Sequence, residues 1–229
     1  MNNKMGESYF KLKWNVQGIF DNFSSIEKEL EHQIDLLPEN NLNDRKKLTN
    51  WINQLKEIDV KLQNFKTSKL IELEKHVNYH FAEPDLVVLT LIQPSIKNLF
   101  SELYSYYSKA GLEYNFEPYL NLDEAAKVLA LIGDAVIDLA LVQILWQPNI
   151  SNVGGLSEKR ADLASNKNLA RICDKWDLFD FRIPSNPNQQ EAKAEKVNHV
   201  KGTIVEALFG VMYVESGLDQ IISSTVLLK

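Results

Sequence analysis

Two acidic residues stand where an acid is costly. Asp134 lies in KVLALIGDAVIDLALVQILW (127–146) and Glu206 in GTIVEALFGVMYV (202–214), segments apolar on nearly every side of a helix. Helices of that kind are normally central. A carboxylate buried there must be paired, protonated or bound to a cation, since an uncompensated charge costs several kcal/mol, of order 3–5. Gly133 precedes the first acid, and Gly202 and Gly210 flank the second. Missing side chains let helices approach closely, so the economical expectation is that the two helices pack together with both carboxylates facing one site. Carboxylate oxygens and retained water suit a hard divalent cation, Mg²⁺ first and Mn²⁺ second. Such an ion activates water and stabilises charge on a phosphate ester. The alternative is that each acid pairs with a Lys or Arg from another helix.

Positioning these acids falls to a chain whose apolar residues recur mainly at three- and four-residue spacing. Ser24 or Ser25 can cap a helix through Ile26, Leu30, Ile34 and Leu37, ended by Pro38. A second helix from about Asp44 carries Leu48, Trp51, Ile52, Leu55, Ile58 and Leu62, and the pair reads as a helical hairpin. A third helix near 69–77 could be continuous with the second. Pro84 and Pro94 frame a short apolar helix, and 98–119 reads as helical with a break at Gly111. The helix from Asp123 reaches Trp146, with Pro148 beyond it. Ser157 is expected to cap a helix through Arg171, and 182–190 reads as a loop. A last long helix from about Glu191 ends at Gly217. Few segments alternate with period two, so the expected class is all-α.

Composition narrows the function classes. The 229 residues are 45% hydrophobic and 24% charged, which supports a sizeable core rather than a disordered chain. A single cysteine, Cys173, excludes an intramolecular disulfide framework and a cysteine-built zinc site. The first residues lack the apolar core of a secretory signal, and Asp134 and Asp138 argue against a membrane span in the most apolar stretch. A cytoplasmic protein is the expectation. The net charge of −6 argues against a wholly basic surface for nucleic acid. The acidity is local, however: residues 69–150 carry five basic and eleven acidic side chains, whereas 151–206 carry nine and eight.

LALIGDAVIDLAL (129–141) resembles the signature helix of the ribonuclease III family, centred on Gly133 and Asp134. GTIVEALFGVMYVESG (202–217) resembles its second catalytic helix. LEKHVNYHFAEPDLVVLTLIQPS (73–95) is similar to its opening segment, and KRADLASNKNLARIC (159–173) to its middle helix. These segments follow the family's order. Two departures stand out, because family acids four residues before the Asp and three before the Glu are here Ala130 and Thr203. The reduced set is similar to the Mini-III branch, which carries no double-stranded-RNA-binding domain.

The resemblance implies a ribonuclease III endonuclease-domain fold over residues 69–229, preceded by the helical appendage 1–68. It implies Asp134 and Glu206 as catalytic, metal-binding acids, a homodimer, and Mg²⁺-assisted hydrolysis of double-stranded or structured RNA. A catalytically silent RNA-binding or ribosome-associated module is the alternative. Lys159, Arg160, Lys167, Lys193, Lys196 and Lys201 are the candidate phosphate contacts, which would position a duplex without reading its sequence. Asp138, one turn after Asp134, could order a metal-bound water or make a surface salt bridge. His76 and His80 share a helical spacing of four, which suits either a metal or a structural role. The appendage is expected to act chiefly by packing, because its apolar stripes are wide and its basic run Arg45–Lys47 is short.

Overall fold

The computed structural model describes residues 18–146, 152–184 and 193–229. A 3₁₀ turn at Ile19–Asn22 leads into α1 (Phe23–Leu36), which buries Phe23, Ile26 and Leu30. Helix α2 (Leu42–Asn64) returns against it with Leu48, Trp51, Ile52, Leu55, Ile58 and Leu62 inward. The first helix therefore starts before Ser24 and Ser25, and Asn41 rather than Asp44 precedes the second. Arg45 leaves the basic run it shares with Lys46 and Lys47. Its Nη1 donates to Ile34 O at 3.0 Å and Leu37 O at 2.7 Å, satisfying carbonyls at the end of α1.

A π turn at Phe65–Lys69, where Leu70 N–H reaches back to Phe65 O, joins α2 directly to α3 (Leu70–Val77). The division of the chain between residues 68 and 69 thus falls inside one uninterrupted helical run. Asn78 in the left-handed region (φ 51°) ends it. After α4 (Pro84–Leu89) the backbone leaves helical geometry early. Ile92 forms an isolated parallel bridge with Ile183, with Ile183 N–H donating to Leu91 O at 2.8 Å. The apolar run that read as one helix is therefore helical through Leu89 and passes through a turn to the bridge at Ile92. Helix α5 (Ile96–Ala110) ends on Gly111 at φ 69°, followed by α6 (Glu117–Leu120) and α7 (Leu122–Leu145).

The middle of the chain differs more from the expectation. A single helix capped by Ser157 is replaced by two. Asn152 caps α8 (Val153–Ala164) by accepting from Gly154 N–H, and Ser165 caps α9 (Asn166–Lys175) by accepting from Asn168 N–H. Ser165 is extended (ψ 144°), which breaks the run and lets α9 turn its apolar face inward. A 3₁₀ turn at Phe179–Phe181 follows. Helix α10 (Ala194–Ser216) ends at Gly217, and α11 (Leu218–Ser224) with a 3₁₀ turn at Thr225–Leu228 closes the described chain. Pro148, residues 185–190 of the expected loop and Glu191 lie outside the described residues. No strand occurs among the described residues, and the fold is all-α.

The hairpin and the remaining helices share one core. Trp51 is 1% exposed, packs edge-on to Tyr106 of α5 at 5.6 Å and donates its indole N–H to Glu102 at 2.9 Å. Phe23 stacks on Phe100, and Phe65 meets Phe181 edge-on. Lys61 donates to Arg182 O at 3.2 Å, and burial pushes its amine below the usual lysine range. The long helical run therefore carries hairpin side chains into the layer that holds α5 and the 3₁₀ turn. Trp51→Ala is expected to cost about 3–5 kcal/mol in chemical denaturation of the full chain. A loss below about 1 kcal/mol would contradict this view of the hairpin as a packing element.

Candidate functional site

Helices α7 and α10 meet backbone to backbone. A Cβ built on Gly133 would lie 1.7 Å from Glu206 O, and one on Gly210 would lie 2.1 Å from Leu129 O. No side chain fits at either place, so the two glycines set the distance between the helices. Gly202 leaves room for a side chain of α9 instead, since a Cβ there would meet Asn166 Oδ1 at 2.5 Å. The glycines that looked permissive in sequence are sites of close approach.

That crossing puts Asp134, the neighbour of Gly133, beside Glu206. The surroundings correct one expectation. Asp134 is exposed and Glu206 is partly exposed, so the acids stand at the rim of the crossing rather than sealed within it. Burial first, and the negative charge of Asp134 second, together push the Glu206 carboxyl up to about 7. Neither acid has a Lys or Arg ion-pair partner among the described residues. Two carboxylates that repel each other and lack a counterion suit a cation between them. The donor set is hard oxygen, which fits Mg²⁺ or Mn²⁺. No group of three or more His, Cys, Asp or Glu suited to a metal occurs among the described residues. Two protein ligands would leave most of such an ion's shell to water. At the positions where further acids were absent from the sequence, Ala130 is buried and Thr203 Oγ1 donates to His199 O at 3.0 Å.

The six candidate phosphate contacts divide. Arg160 is held in an ion pair with Asp138 Oδ2, while the buried Oδ1 of Asp138 has no hydrogen-bond partner among the described residues. Lys201 is held by Asp174 at 2.6 Å and lies 4.8 Å over the ring of Phe179. Lys159 and Lys167, on α8 and α9, are exposed, as are Lys193 and Lys196 at the start of α10. The two histidines do not converge on one ion. His76 contacts Glu72 O at 3.0 Å and His80 contacts Glu74 at 2.9 Å.

The coordinates bring a further group together. The N-terminal halves of α7 and α10 line a cavity of about 700 Å³, with Asp123, Lys127, Lys196, His199 and Thr203 among its walls. Asp123 is 4% exposed and takes Lys127 at 3.0 Å. The i,i+4 spacing of that pair was the available signal.

Residues 127–217 match the Ribonuclease III domain family. The chain is similar over 71% of its length to the crystal structure of the nuclease domain of ribonuclease III from Campylobacter jejuni. That similarity covers 94% of the nuclease domain, with a TM-score of 0.51 and 22% identity. The fold is that of a ribonuclease III nuclease domain. Ribonuclease 3 of Ehrlichia canis is 28% identical over 149 residues, covering 64% of this chain and 56% of that protein. Ribonuclease 3 of Campylobacter fetus is 29% identical over 154 residues, covering 67% and 58%. The chain thus spans a little over half the length of these relatives. Within the ribonuclease III fold, α7 and α10 contain both acids and both contact glycines, and the matched residues take in all of α10 and α7 from Lys127 onward.

Gly133→Ala is expected to destabilise by about 1–3 kcal/mol or more, because a backbone oxygen blocks the methyl group. Gly155→Ala, with nothing within 4 Å of the added carbon, is expected to be neutral or stabilising by up to about 1 kcal/mol. Thermal melts of the two variants check the contrast. The raised Glu206 carboxyl also has a sign. The folded chain holds this proton more tightly than an unfolded one, so stability falls as pH rises from near 4.5 through about 7. In metal-free buffer, Glu206→Gln should therefore gain in melting temperature over wild type between about pH 5 and 8. Parallel pH profiles for the two proteins would contradict the raised value.

Proposed function

We propose that this chain is a divalent-metal-dependent endoribonuclease of the Mini-III type that hydrolyses double-stranded or structured RNA as a homodimer. The observation that carries the reading is the pair Asp134 and Glu206, brought together by the glycine crossing and without a Lys or Arg partner among the described residues. Glu206 is the more desolvated acid, and its proton leaves near neutral pH in the free chain. Binding a cation would favour its charged form. The two carboxylates would hold Mg²⁺ or Mn²⁺, and the bound ion would supply water activation and charge stabilisation at the phosphodiester. The retention of this pair beside Ala130 and Thr203 supports the Mini-III assignment.

The chain's own residues then have distinct tasks. Asp134 and Glu206 hold the ion, and the glycine contact fixes their separation. Asp138 is tied to Arg160, so its pair braces α7 against α8 beside the acids. Exposed Lys159, Lys167, Lys193 and Lys196 provide phosphate contacts on helices around the site. A-form RNA is read mostly by shape and 2′-hydroxyls, so sequence selectivity should be modest.

The outer face of α7 supports the homodimer. Val128, Leu131, Leu139, Val142 and Trp146 recur at helical spacing and are 40–69% exposed. A stripe this apolar on a monomer is unusual, and a second copy of the same helix is the simplest cover for it. The same helix is long and apolar enough to cross a membrane, yet its opposite face packs on α10 and it carries Asp134 and Asp138. By helical geometry Asp134 and Asp138 fall at one edge of the stripe. Pairing through it would align the two acid sites along the interface.

With duplex RNA and Mg²⁺, wild type is expected to cut, and Asp134→Asn or Glu206→Gln to lose at least about a hundredfold in rate. Duplex binding by the variants should stay within a few-fold of wild type. Metal-dependent cutting by both variants would reject the assignment, and binding without any cutting by wild type would favour a silent RNA-binding module. Separately, Leu131→Glu combined with Leu139→Glu is expected to convert a dimer to monomers in sedimentation analysis. A wild type that sediments as a monomer would remove the dimer from this reading.

A further inference from the structure

We propose that the cavity between the N-terminal halves of α7 and α10 binds a nucleoside phosphate, with its phosphate on Lys193 and Lys196 and a hydroxyl or amino group donating to Asp123. The cavity reaches from Asp123 to Thr203 and Ala207, which adjoin Glu206 on α10, but its Asp123 end lies well away from the acid pair. Eleven residues of helix divide Asp123 from Asp134, about 16 Å of rise. Its volume of about 700 Å³ lies in the range of small-molecule sites.

The chemistry of the walls selects the ligand. Val200 and Ile204 give it an apolar side that suits the face of a base. The lining carries four Lys or Arg side chains against one carboxylate, Asp123. Lys193 and Lys196 are exposed at its edge and have no ion pair among the described residues, so they are available to a phosphate. Asp123 is the unusual member. It is 4% exposed, its Oδ2 takes Lys127, and its buried Oδ1 has no hydrogen-bond partner. A buried acceptor left unpaired is costly. The carboxyl torsion is broad, so a modest rotation would offer an acceptor to a donor in the cavity. Cationic edge, apolar wall and buried acceptor together match a phosphate, a base, and a sugar hydroxyl or exocyclic amine. Inorganic phosphate would use only the first of these.

The ligand can come from two sources: a free mononucleotide, or an unpaired nucleotide of the RNA. The inference shares Lys193 and Lys196 with the duplex contacts of the proposed function but uses neither a metal nor cleavage, so mononucleotide binding tests it apart from the nuclease reading. Calorimetric titration of the full chain, in metal-free buffer at low salt, tests it with AMP, GMP, CMP and UMP. Ribose 5-phosphate, the parent nucleosides and inorganic phosphate are the comparisons. At least one mononucleotide should bind about tenfold more tightly than any comparison compound. Asp123→Asn should weaken that binding about tenfold, and Lys193→Ala with Lys196→Ala should do the same. The lysine variants alter exposed side chains, so they keep the test open if Asp123→Asn fails to fold.

The RNA source is read by comparing a blunt hairpin with one bearing an unpaired 3′ nucleotide. If the mononucleotides fail but the unpaired nucleotide adds affinity that both variants abolish, the occupant is the RNA's own nucleotide and the proposal holds. If no mononucleotide binds and the unpaired end adds nothing, the proposal is overturned. Equal binding of inorganic phosphate or ribose 5-phosphate overturns it too, as does nucleotide binding insensitive to both variants. Each outcome is independent of whether wild type cuts RNA.

Discussion

The contact of Gly133 with the Glu206 carbonyl, and of Gly210 with the Leu129 carbonyl, is the constraint on which the rest depends. Two long helices can approach this closely only where neither carries a side chain. The approach buries Val205, Leu208, Phe209 and Met212 on one helix and Leu129, Ile137 and Leu141 on the other. It also fixes Asp134 next to Glu206, with no ion pair to either among the described residues. The placement of the two acids thus depends on packing in the α7–α10 core, and a single methyl group at the crossing would disturb both.

The placement of the acids shows why charge and position must be read together. An acid in an apolar segment suggests deep burial, yet Asp134 points to solvent and Glu206 is only partly covered. The apolar neighbours of Asp134 face two different covers: α10 on one side and, on our reading, a second copy of the chain on the other. A sequence cannot separate these, because both partners ask for apolar residues at helical spacing. The desolvation felt by Glu206 is sufficient to raise its carboxyl, so the site keeps the electrostatic character of a buried pair while remaining open to an ion.

Much of the fold was legible in sequence for identifiable reasons. The faces of α1 and α2, the glycine stop of α5 and the long α7 follow from periodicity, helix breakers and left-handed glycine. The region 153–175 was not, because its break depends on one extended residue, Ser165, whose hydroxyl accepts from Asn168 N–H. Ser157 has the same chemistry, yet it sits inside a helix already capped by Asn152. Propensity alone cannot rank two serines eight residues apart. The join between α2 and α3 was equally hidden, since a π turn leaves no marker such as proline or glycine. At the site, residue type selected Asp134 and Glu206. Arg160 and Lys201 needed coordinates, because their partners Asp138 and Asp174 lie 22 and 27 positions away.

The central claim is that Asp134 and Glu206 form one electrostatic unit open to a divalent ion. Its most direct test is titration of the Glu206 side-chain carboxyl by NMR, with and without Mg²⁺, in wild type and in Asp134→Asn. The account predicts an apparent value of about 7 in metal-free wild type, lowered by removing the Asp134 charge. It also predicts a marked fall when Mg²⁺ is added to wild type, since the bound ion favours the carboxylate. A Glu206 that titrates near the ordinary 4.5 and responds neither to Asp134→Asn nor to Mg²⁺ would contradict it.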